Sequence, residues 1–159
     1  MECSPIGIIE TPFTDPSGMP IQPTGAKGVK GKIHIAKAYE QGLSDIEGFS
    51  HLILLYHFHK SSGFDLMVTP FLDKTPRGVF STRAPRRPNP IGLSIVRLIA
   101  RRQSILEIED IDVLNQTPLL DIKPYVPGFD IREVTSSGWL EKTQKEVKDK
   151  KSDNRFTET

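Results

Sequence analysis

The chain has 159 residues, of which 36% are hydrophobic and 26% charged, with a formal net charge of +1 and one cysteine. This length suits one domain with its own core, and a single cysteine excludes an internal disulfide. No apolar run approaches the roughly 20 residues of a membrane span, and the start MECSPIGII lacks the pattern of a secretory signal, so we expect a cytoplasmic protein without a membrane segment.

The first 60 residues predict three strands. SPIGIIETPF contains a short β-branched run that ends in a proline turn, and PSGMPIQPTGAKG, which shows no periodicity, predicts a loop. In VKGKIHIAK, Ile33 and Ile35 alternate with Lys32 and His34, which is typical of a half-buried strand. AYEQGLSDIEG predicts a turn with a short helical piece, and FSHLILLYHFHK predicts a long central strand.

The second half continues the β pattern. SSGFDLMVTPFLDKTP predicts a connecting loop, GVFSTR and IGLSIVRLIARR predict strands on either side of a proline-rich segment, and SILEIEDIDVL predicts another strand. LLDIKPYVPGFD predicts an extended segment, and SSGWLEKTQKEVKDKK a weak C-terminal helix. Many short strands without alternating helices predict a mainly β fold, a β-barrel with short helical pieces. We expect this domain over residues 1–140, followed by a charged tail, 141–159, that is partly helical or disordered.

Charge is unevenly distributed along the sequence. Eight basic residues and no acid lie between Lys74 and Arg102, and five acids and no base lie between Ser104 and Ile122. A cationic block of this kind can attract phosphates or carboxylates. The alternative is that neighbouring strands of opposite charge pair across a sheet.

The segment RAPRRPNP, residues 83–90, is here named the proline corner. Its prolines fix their own φ and restrict the residue before each of them, so the chain is ordered before any ligand binds. Its three arginines, Arg83, Arg86 and Arg87, carry planar donor groups that match carboxylate or phosphate. The alternative is a rigid connection with solvent-facing arginines.

Polar residues elsewhere mark further candidate positions. His57 and His59 share one face of the central strand and form a possible metal pair, although no third ligand is indicated; a histidine that lines a cleft is the preferred interpretation. Asp121 and Lys123 share a face and are expected to pair. The rigid loop PIQP presents Gln22. Rigid polar segments spread along one small domain predict convergence on a single site.

These segments resemble a known family. GVFSTRAPRRPNPIG closely resembles the signature of the TsaA/TrmO family, and GFSHLILLYHFH and TPLLDIKPYVP match its other two blocks in order. The resemblance spans about Pro5 to Leu140 and corresponds to a short single-domain form. Members are S-adenosylmethionine-dependent methyltransferases that modify N6 of threonylcarbamoyl-adenosine next to the tRNA anticodon. The resemblance therefore implies a single-sheeted β-barrel, adenosylmethionine as cofactor, the tRNA anticodon loop as partner, and a homodimer with the cofactor near the subunit interface.

The resemblance also assigns positions to the cofactor site. One departure is that the family reads Asp-Gly-Thr-Pro where this chain has Asn115, Gln116, Thr117 and Pro118. The implied cofactor-binding residues are Pro20, Ile21, Gln22, His59, Lys60, Arg83, Leu93, Leu114, Asn115, Gln116 and Thr117.

Methyl transfer chemistry suggests roles for further residues. Arg83 is expected to bind the cofactor carboxylate, and His59, Tyr125 and Asp121 are alternative candidates for a general base. Two rival functions stay open, a non-catalytic RNA-binding barrel that uses the proline corner and a metal-dependent barrel enzyme that uses His57 and His59. The residues expected to contact substrate RNA are Arg86, Arg87, Asn89 and Lys123.

Overall fold

The computed structural model of the chain describes residues 2–20, 25–71, 73–141 and 152. The regular structure in these ranges is mostly β, and the helical segments are short. An α-helix, α1, spans Pro127–Asp130, and 3-10 helices span Lys37–Leu43, Ile46–Gly48, Val79–Ser81 and Gly138–Leu140. The strands in chain order are β1 (Gly7–Glu10), β2 (Lys30–Ile35), β3 (His51–His57), β4 (Met67–Val68), β5 (Arg77–Gly78), β6 (Ile91–Arg102), β7 (Ile105–Glu109) and β8 (Thr117–Pro124).

Six of these strands close into one antiparallel barrel in the order β1-β2-β7-β6-β3-β8. Closure satisfies the hydrogen-bonding groups that an open sheet would leave at its edges. β4 and β5 form a separate two-stranded sheet. The prediction of a mainly β fold, built as a single-sheeted barrel with short helical pieces, is confirmed.

Alternate residues of each strand fill the barrel interior, because successive side chains of a strand point to opposite faces. On β3, Leu52 and Leu54 are fully buried and Tyr56 is nearly so, while Ile53 and Leu55 between them are partly exposed. The same alternation buries Ile33 and Ile35 on β2, as predicted. Further core residues are Ile9, Val96, Leu106, Ile108, Ile111 and Leu119.

The outer face shared by β3 and β6 is apolar. Ile53 lies opposite Ile95, and Leu55 lies opposite Leu93. Leu93 is 46% exposed, and Ile91 and Ile95 are also exposed. These five residues, Ile53, Leu55, Ile91, Leu93 and Ile95, are here named the outer stripe.

Part of the charge asymmetry is explained by pairing across the sheet. Arg97 on β6 forms an ion pair with Glu109 on β7, and Arg102 pairs with Glu107 at 2.8 Å. Arg101 Nη1 donates to Leu43 O at 2.9 Å. Cross-sheet pairing is thus confirmed for two arginines of β6, whereas the arginines of the proline corner have other surroundings.

Four segments differ from the prediction or fall outside it. PGFD, the end of the segment predicted as extended, forms α1. GVFSTR, predicted as a strand, contains a 3-10 helix instead, because Ser81 Oγ donates to Gly78 O at 2.8 Å and Thr82 Oγ1 to Val79 O at 2.9 Å. Such bonds stabilise a turn rather than a strand ladder. The predicted connecting loop contains β4. Apart from Glu141 and Ser152, the predicted tail lies outside the described residues. Within the described ranges, no helix has the length and apolarity needed to cross a bilayer.

Candidate functional site

A cavity of about 380 Å³ lies at the end of the barrel where β3 ends and β8 begins. Its volume falls in the range of roughly 300–1,000 Å³ that is usual for small-ligand sites. The lining combines apolar side chains, among them Phe58 and Phe71, with His59 and a few charged groups. The charged lining residues are Lys60, Arg83, Arg87 and Asp112. The site therefore offers an amphipathic ligand several cations and one anion.

A chain of hydrogen bonds runs from the barrel interior to the cavity wall. Ser94 Oγ donates to Asp112 Oδ1 at 2.6 Å, and Tyr56 Oη lies 3.0 Å from Ser94 Oγ. Because the Ser94 hydroxyl has one hydrogen and gives it to Asp112, the Tyr56 hydroxyl is the donor in the second bond. Ser94 is 1% exposed and Tyr56 is 6% exposed. The chain therefore ends on a carboxylate that lines the cavity.

Burial determines the protonation of these groups. It raises the pKa of Asp112 to about 6, against the opposing effects of the Ser94 hydrogen bond and the Arg83 charge. Burial and the neighbouring Asp112 also raise the pKa of the Tyr56 hydroxyl. Near neutral pH Tyr56 is therefore neutral and Asp112 is largely ionised, so a buried negative charge lies beside the cavity.

His59 follows the end of β3 and lines the cavity. Burial, then the charge of Lys60, lowers the pKa of His59 below its usual value. Thr117 Oγ1 donates to Leu114 O at 2.7 Å and lies 3.3 Å from His59 Nδ1. Since the Thr117 hydrogen is already used, Nδ1–H is the donor in that contact, which leaves Nε2 unprotonated. The geometry thus favours a neutral imidazole with one basic nitrogen.

The proline corner is fixed by its own arginines. Arg87 Nη1 donates to Thr82 O at 3.0 Å and to Ala84 O at 3.2 Å, which ties the corner to the segment before it. Arg86 Nε donates to Asp65 Oδ2 at 2.7 Å. Arg87 therefore has a structural role in addition to lining the cavity, and Arg86 is held in place by an ion pair.

The structure brings many of the sequence-predicted site residues together. Ile21 and Gln22 lie outside the described residues, and Arg86, Asn89, Asn115, Gln116, Asp121, Lys123 and Tyr125 are not part of the cavity lining. Those that line the cavity are Pro20, His59, Lys60, Arg83, Arg87, Leu93, Leu114 and Thr117.

Two of the general-base candidates lie away from the cavity within this chain. Tyr125 N–H donates to His51 O at 3.1 Å, at the beginning of β3, and its ring centroid is 6.3 Å from that of His51. This is the end of β3 opposite the cavity. Asp121 lies opposite Leu55 and pairs with Lys123 at 2.7 Å, as expected from their spacing.

The loop that departs from the family pattern keeps a special backbone conformation. Gln116 has φ of 62°, in the left-handed region that glycine favours. Asn115 anchors the loop, because its Oδ1 accepts from Thr11 N–H at 3.0 Å and its own N–H donates to Phe13 O at 2.7 Å. Gln116 therefore adopts a backbone conformation that glycine tolerates better than other residues do.

Sequence reasoning missed the residues of the hydrogen-bonded chain, Tyr56, Ser94 and Asp112. The sequence does contain one indication of this group, because Ser94 is a polar residue at an inward-facing position of an otherwise apolar stretch of β6. Ser61, which lines the cavity, was also missed; its Oγ is buried and has no hydrogen-bond partner among the described residues. Ser152 Oγ donates to Pro16 O at 2.6 Å, which brings one residue of the predicted tail to the cavity wall.

The metal hypothesis finds no support in the part of the chain that the structure describes. No group of three or more His, Cys, Asp or Glu side chains there could hold a metal ion. Of the proposed pair, His59 lines the cavity and His57 does not.

Comparisons with known proteins agree with the geometry. A model of the tRNA-methyltransferase O N-terminal domain matches residues 8–131. The chain is 51% identical over 152 residues to a probable S-adenosyl-L-methionine-binding protein of Pyrococcus abyssi, an alignment that covers 96% of this chain and 83% of that protein. It is 37% identical over 132 residues to the tRNA (adenine(37)-N6)-methyltransferase of Escherichia coli, which covers 77% of this chain and 56% of that enzyme.

A solved structure has the same fold. The crystal structure of TrmO from Pseudomonas aeruginosa matches with a TM-score of 0.73 and 36% identity, over 87% of this chain and 62% of that one. The present chain thus spans less than two thirds of that structure and little more than half of the Escherichia coli enzyme.

Proposed function

The chain belongs to the tRNA-methyltransferase O family, and we propose that it transfers a methyl group from S-adenosylmethionine to N6 of the threonylcarbamoyl-adenosine beside the tRNA anticodon. One observation carries the proposal. A single cavity gathers, from separate parts of the chain, seven of the eleven residues that the family resemblance assigns to the cofactor: Pro20, His59, Lys60, Arg83, Leu93, Leu114 and Thr117.

The lining fits adenosylmethionine by the chemistry of its side chains. Arg83 and Lys60 suit the carboxylate, and Phe58 and Phe71 suit the adenosine. When bound, the cofactor supplies an electrophilic methyl group for in-line displacement. Much of the lining is apolar, and electrostatic contacts are stronger in apolar surroundings than in water.

His59 is our candidate for the group that accepts the proton of the acceptor nitrogen. Its lowered pKa keeps it unprotonated at neutral pH, and its Nδ1–H contact with Thr117 leaves Nε2 basic. Asp121 and Tyr125 would reach a cavity only from another subunit, because both lie outside the cavity of their own chain.

We propose that the proline corner contacts the anticodon loop. Arg86 is ordered by Asp65 and Arg87 by backbone carbonyls, and Arg87 lines the cavity together with Arg83. They can meet phosphates or the carboxylate of the modified base, with Asn89 on the same corner and Lys123 as an outer contact. The target base must leave its stack to enter the cavity. A non-catalytic RNA-binding barrel would use the same corner but would have no use for the cavity beside it.

The outer stripe supports a homodimer. Ile91 and Leu93 belong both to the outer stripe and to the cavity lining. A second copy that covered this apolar face would therefore border the cavity, and a two-fold arrangement would do so twice.

Nucleoside mass spectrometry tests the proposal. The protein is incubated with adenosylmethionine and tRNA that carries threonylcarbamoyl-adenosine, and the digested RNA is analysed. We expect a nucleoside one methyl group heavier, absent when the tRNA carries plain adenosine at that position. Methylation of the plain adenosine alone, or of neither RNA, contradicts the proposed acceptor. A tRNA substrate agrees with the cytoplasmic location predicted from the sequence.

A further inference from the structure

Asp112 holds a fixed position beside the cavity. Its neighbours Ile111 and Val113 are 0% and 3% exposed, so the barrel anchors the backbone on both sides of it. Its side chain is oriented by Ser94, which in turn accepts from Tyr56. A carboxylate placed in this way loses little conformational freedom when it binds a ligand.

Asp112 still has acceptor capacity toward the cavity. A carboxylate can accept about four hydrogen bonds. Among the described residues, only Ser94 donates to it from another part of the chain. The remaining capacity matches a ligand group with several N–H donors.

Asp112 is also the only acidic side chain in the described lining of the cavity. The other charged groups there, Lys60, Arg83 and Arg87, are cations. Arg83 acts electrostatically on both Asp112 and Tyr56. The cavity is therefore lined by a guanidinium group and a carboxylate that interact with each other. A ligand with a positive and a negative group on the same carbon complements such a pair.

We propose that Asp112 binds the α-ammonium group of adenosylmethionine while Arg83 binds its α-carboxylate, an assignment that rests on the proposed function. The two side chains then hold the amino-acid end as a zwitterion. Asp112 is thereby a cofactor-binding residue, and Ser94 and Tyr56 are the positioning residues behind it.

The sulfonium group is the other cation that Asp112 could meet, but it is the poorer match. A sulfonium offers no N–H donor to a carboxylate. Its charge also disappears during methyl transfer, so a nearby anion would stabilise the bound cofactor more than the transition state and slow the reaction. The ammonium charge is unchanged in the reaction, and binding it carries no such penalty.

Calorimetric binding of matched ligands tests the assignment. The ligands are adenosylmethionine, adenosylhomocysteine and the analogue of adenosylhomocysteine that lacks the amino group. Wild-type protein should bind adenosylhomocysteine about 10- to 100-fold more tightly than the des-amino analogue. In Asp112→Asn this preference should fall to about threefold or less, with affinity for the des-amino analogue nearly unchanged.

The control variant is Tyr56→Phe, which shortens the hydrogen-bonded chain but leaves the carboxylate in place. It should keep most of the preference for the amino group, and circular dichroism checks that both variants are folded. Equal weakening of both homocysteine ligands by Asp112→Asn would show a merely structural role and overturn the assignment. If Asp112→Asn lost affinity for adenosylmethionine alone, the Asp112 contact would be to the sulfonium, and the assignment to the ammonium group would be overturned as well. A wild-type protein that binds none of the ligands overturns the proposed function and this inference together.

Discussion

Tyr56 and Gly92 face each other across β3 and β6, and the ring of Tyr56 occupies the space where a side chain at position 92 would lie. A Cβ built on Gly92 would be 2.2 Å from Tyr56 Cε2. Gly92 therefore permits the Tyr56 ring to sit beside the cavity with its hydroxyl on Ser94.

Gly92→Ala should displace the Tyr56 ring. We expect a loss of about 1–3 kcal/mol in the free energy of unfolding, as for other overpacked cores, together with weaker cofactor binding. Urea denaturation and calorimetry measure the two effects. Gly42→Ala is the matched control, because nothing lies within 4 Å of its added Cβ. Equal stability of the two variants would contradict the packing argument.

Gln116→Gly should stabilise the protein. A non-glycine residue at φ of 62° carries strain of roughly 1–2 kcal/mol. Glycine removes this strain but also increases the conformational entropy of the unfolded chain, so the net gain in the free energy of unfolding is about 0.5–1 kcal/mol. Gln116→Val should instead destabilise, because a β-branched residue tolerates this conformation poorly. Thermal unfolding measures both.

Gln103→Gly is the control for that pair, since Gln103 has φ of 56° away from the cavity. It should give a similar gain in stability. Only the changes at Gln116, which adjoins Thr117 in the lining, should alter the affinity for adenosylmethionine. A cofactor effect from the Gln103 variant would show that strain acts on the site globally.

Local patterns in the sequence predict much of this fold but less of the site. The strand around Ile33 follows from alternation, and the strand around Leu52 from a continuous apolar run. The contact between Ser94 and Asp112 is not visible, because the fold places a residue of the segment after β7 against a residue of β6 that is 18 positions earlier in the sequence. The sequence likewise shows a glutamine at position 116, but not that its backbone lies in the left-handed region. The positions matched to the family signature supply most of the predicted lining, since periodicity alone does not indicate where loops converge.

Ile95→Lys should disrupt the proposed homodimer. Ile95 is 37% exposed in the outer stripe and does not line the cavity, so a charge there would oppose burial against a second copy while leaving the fold intact. Sedimentation velocity should show a dimer for the wild type and a monomer for the variant. Phe129→Lys is the control, because Phe129 is 72% exposed on α1, outside the outer stripe. A monomeric wild type would contradict the proposal.

The arginines of the proline corner should give separable defects. Arg83→Ala should chiefly weaken cofactor binding. Arg86→Ala should leave it unchanged, weaken tRNA binding and reduce the slope of log affinity against log salt by about one. Arg87→Ala should weaken both, because it removes the bonds that close the corner on Thr82 and Ala84. Calorimetry and filter binding across a salt series measure these effects, and identical profiles for Arg83→Ala and Arg86→Ala would contradict the division.

The raised pKa of Asp112 makes stability depend on pH in a defined direction. Its carboxyl binds a proton more tightly in the folded chain, where the pKa is about 6, than at its ordinary value of 3.8. The associated stability is fully present below about pH 4 and is lost as the pH rises through about 6. At neutral pH this loss amounts to about 3 kcal/mol in the ligand-free protein.

Asp112→Asn lacks this titration, so the variant should gain stability relative to the wild type as the pH increases. The difference in free energy of unfolding should grow by up to about 3 kcal/mol between about pH 4 and pH 7. Contributions from Tyr56, Arg83 and His59, the other groups near this carboxyl, are common to both proteins and largely cancel in the difference. Urea denaturation at a series of pH values measures it. Saturating adenosylhomocysteine should reverse the order near neutral pH, because its ammonium group compensates the buried charge of the wild type only. A difference that stays constant with pH would contradict the buried carboxylate on which the zwitterion site depends.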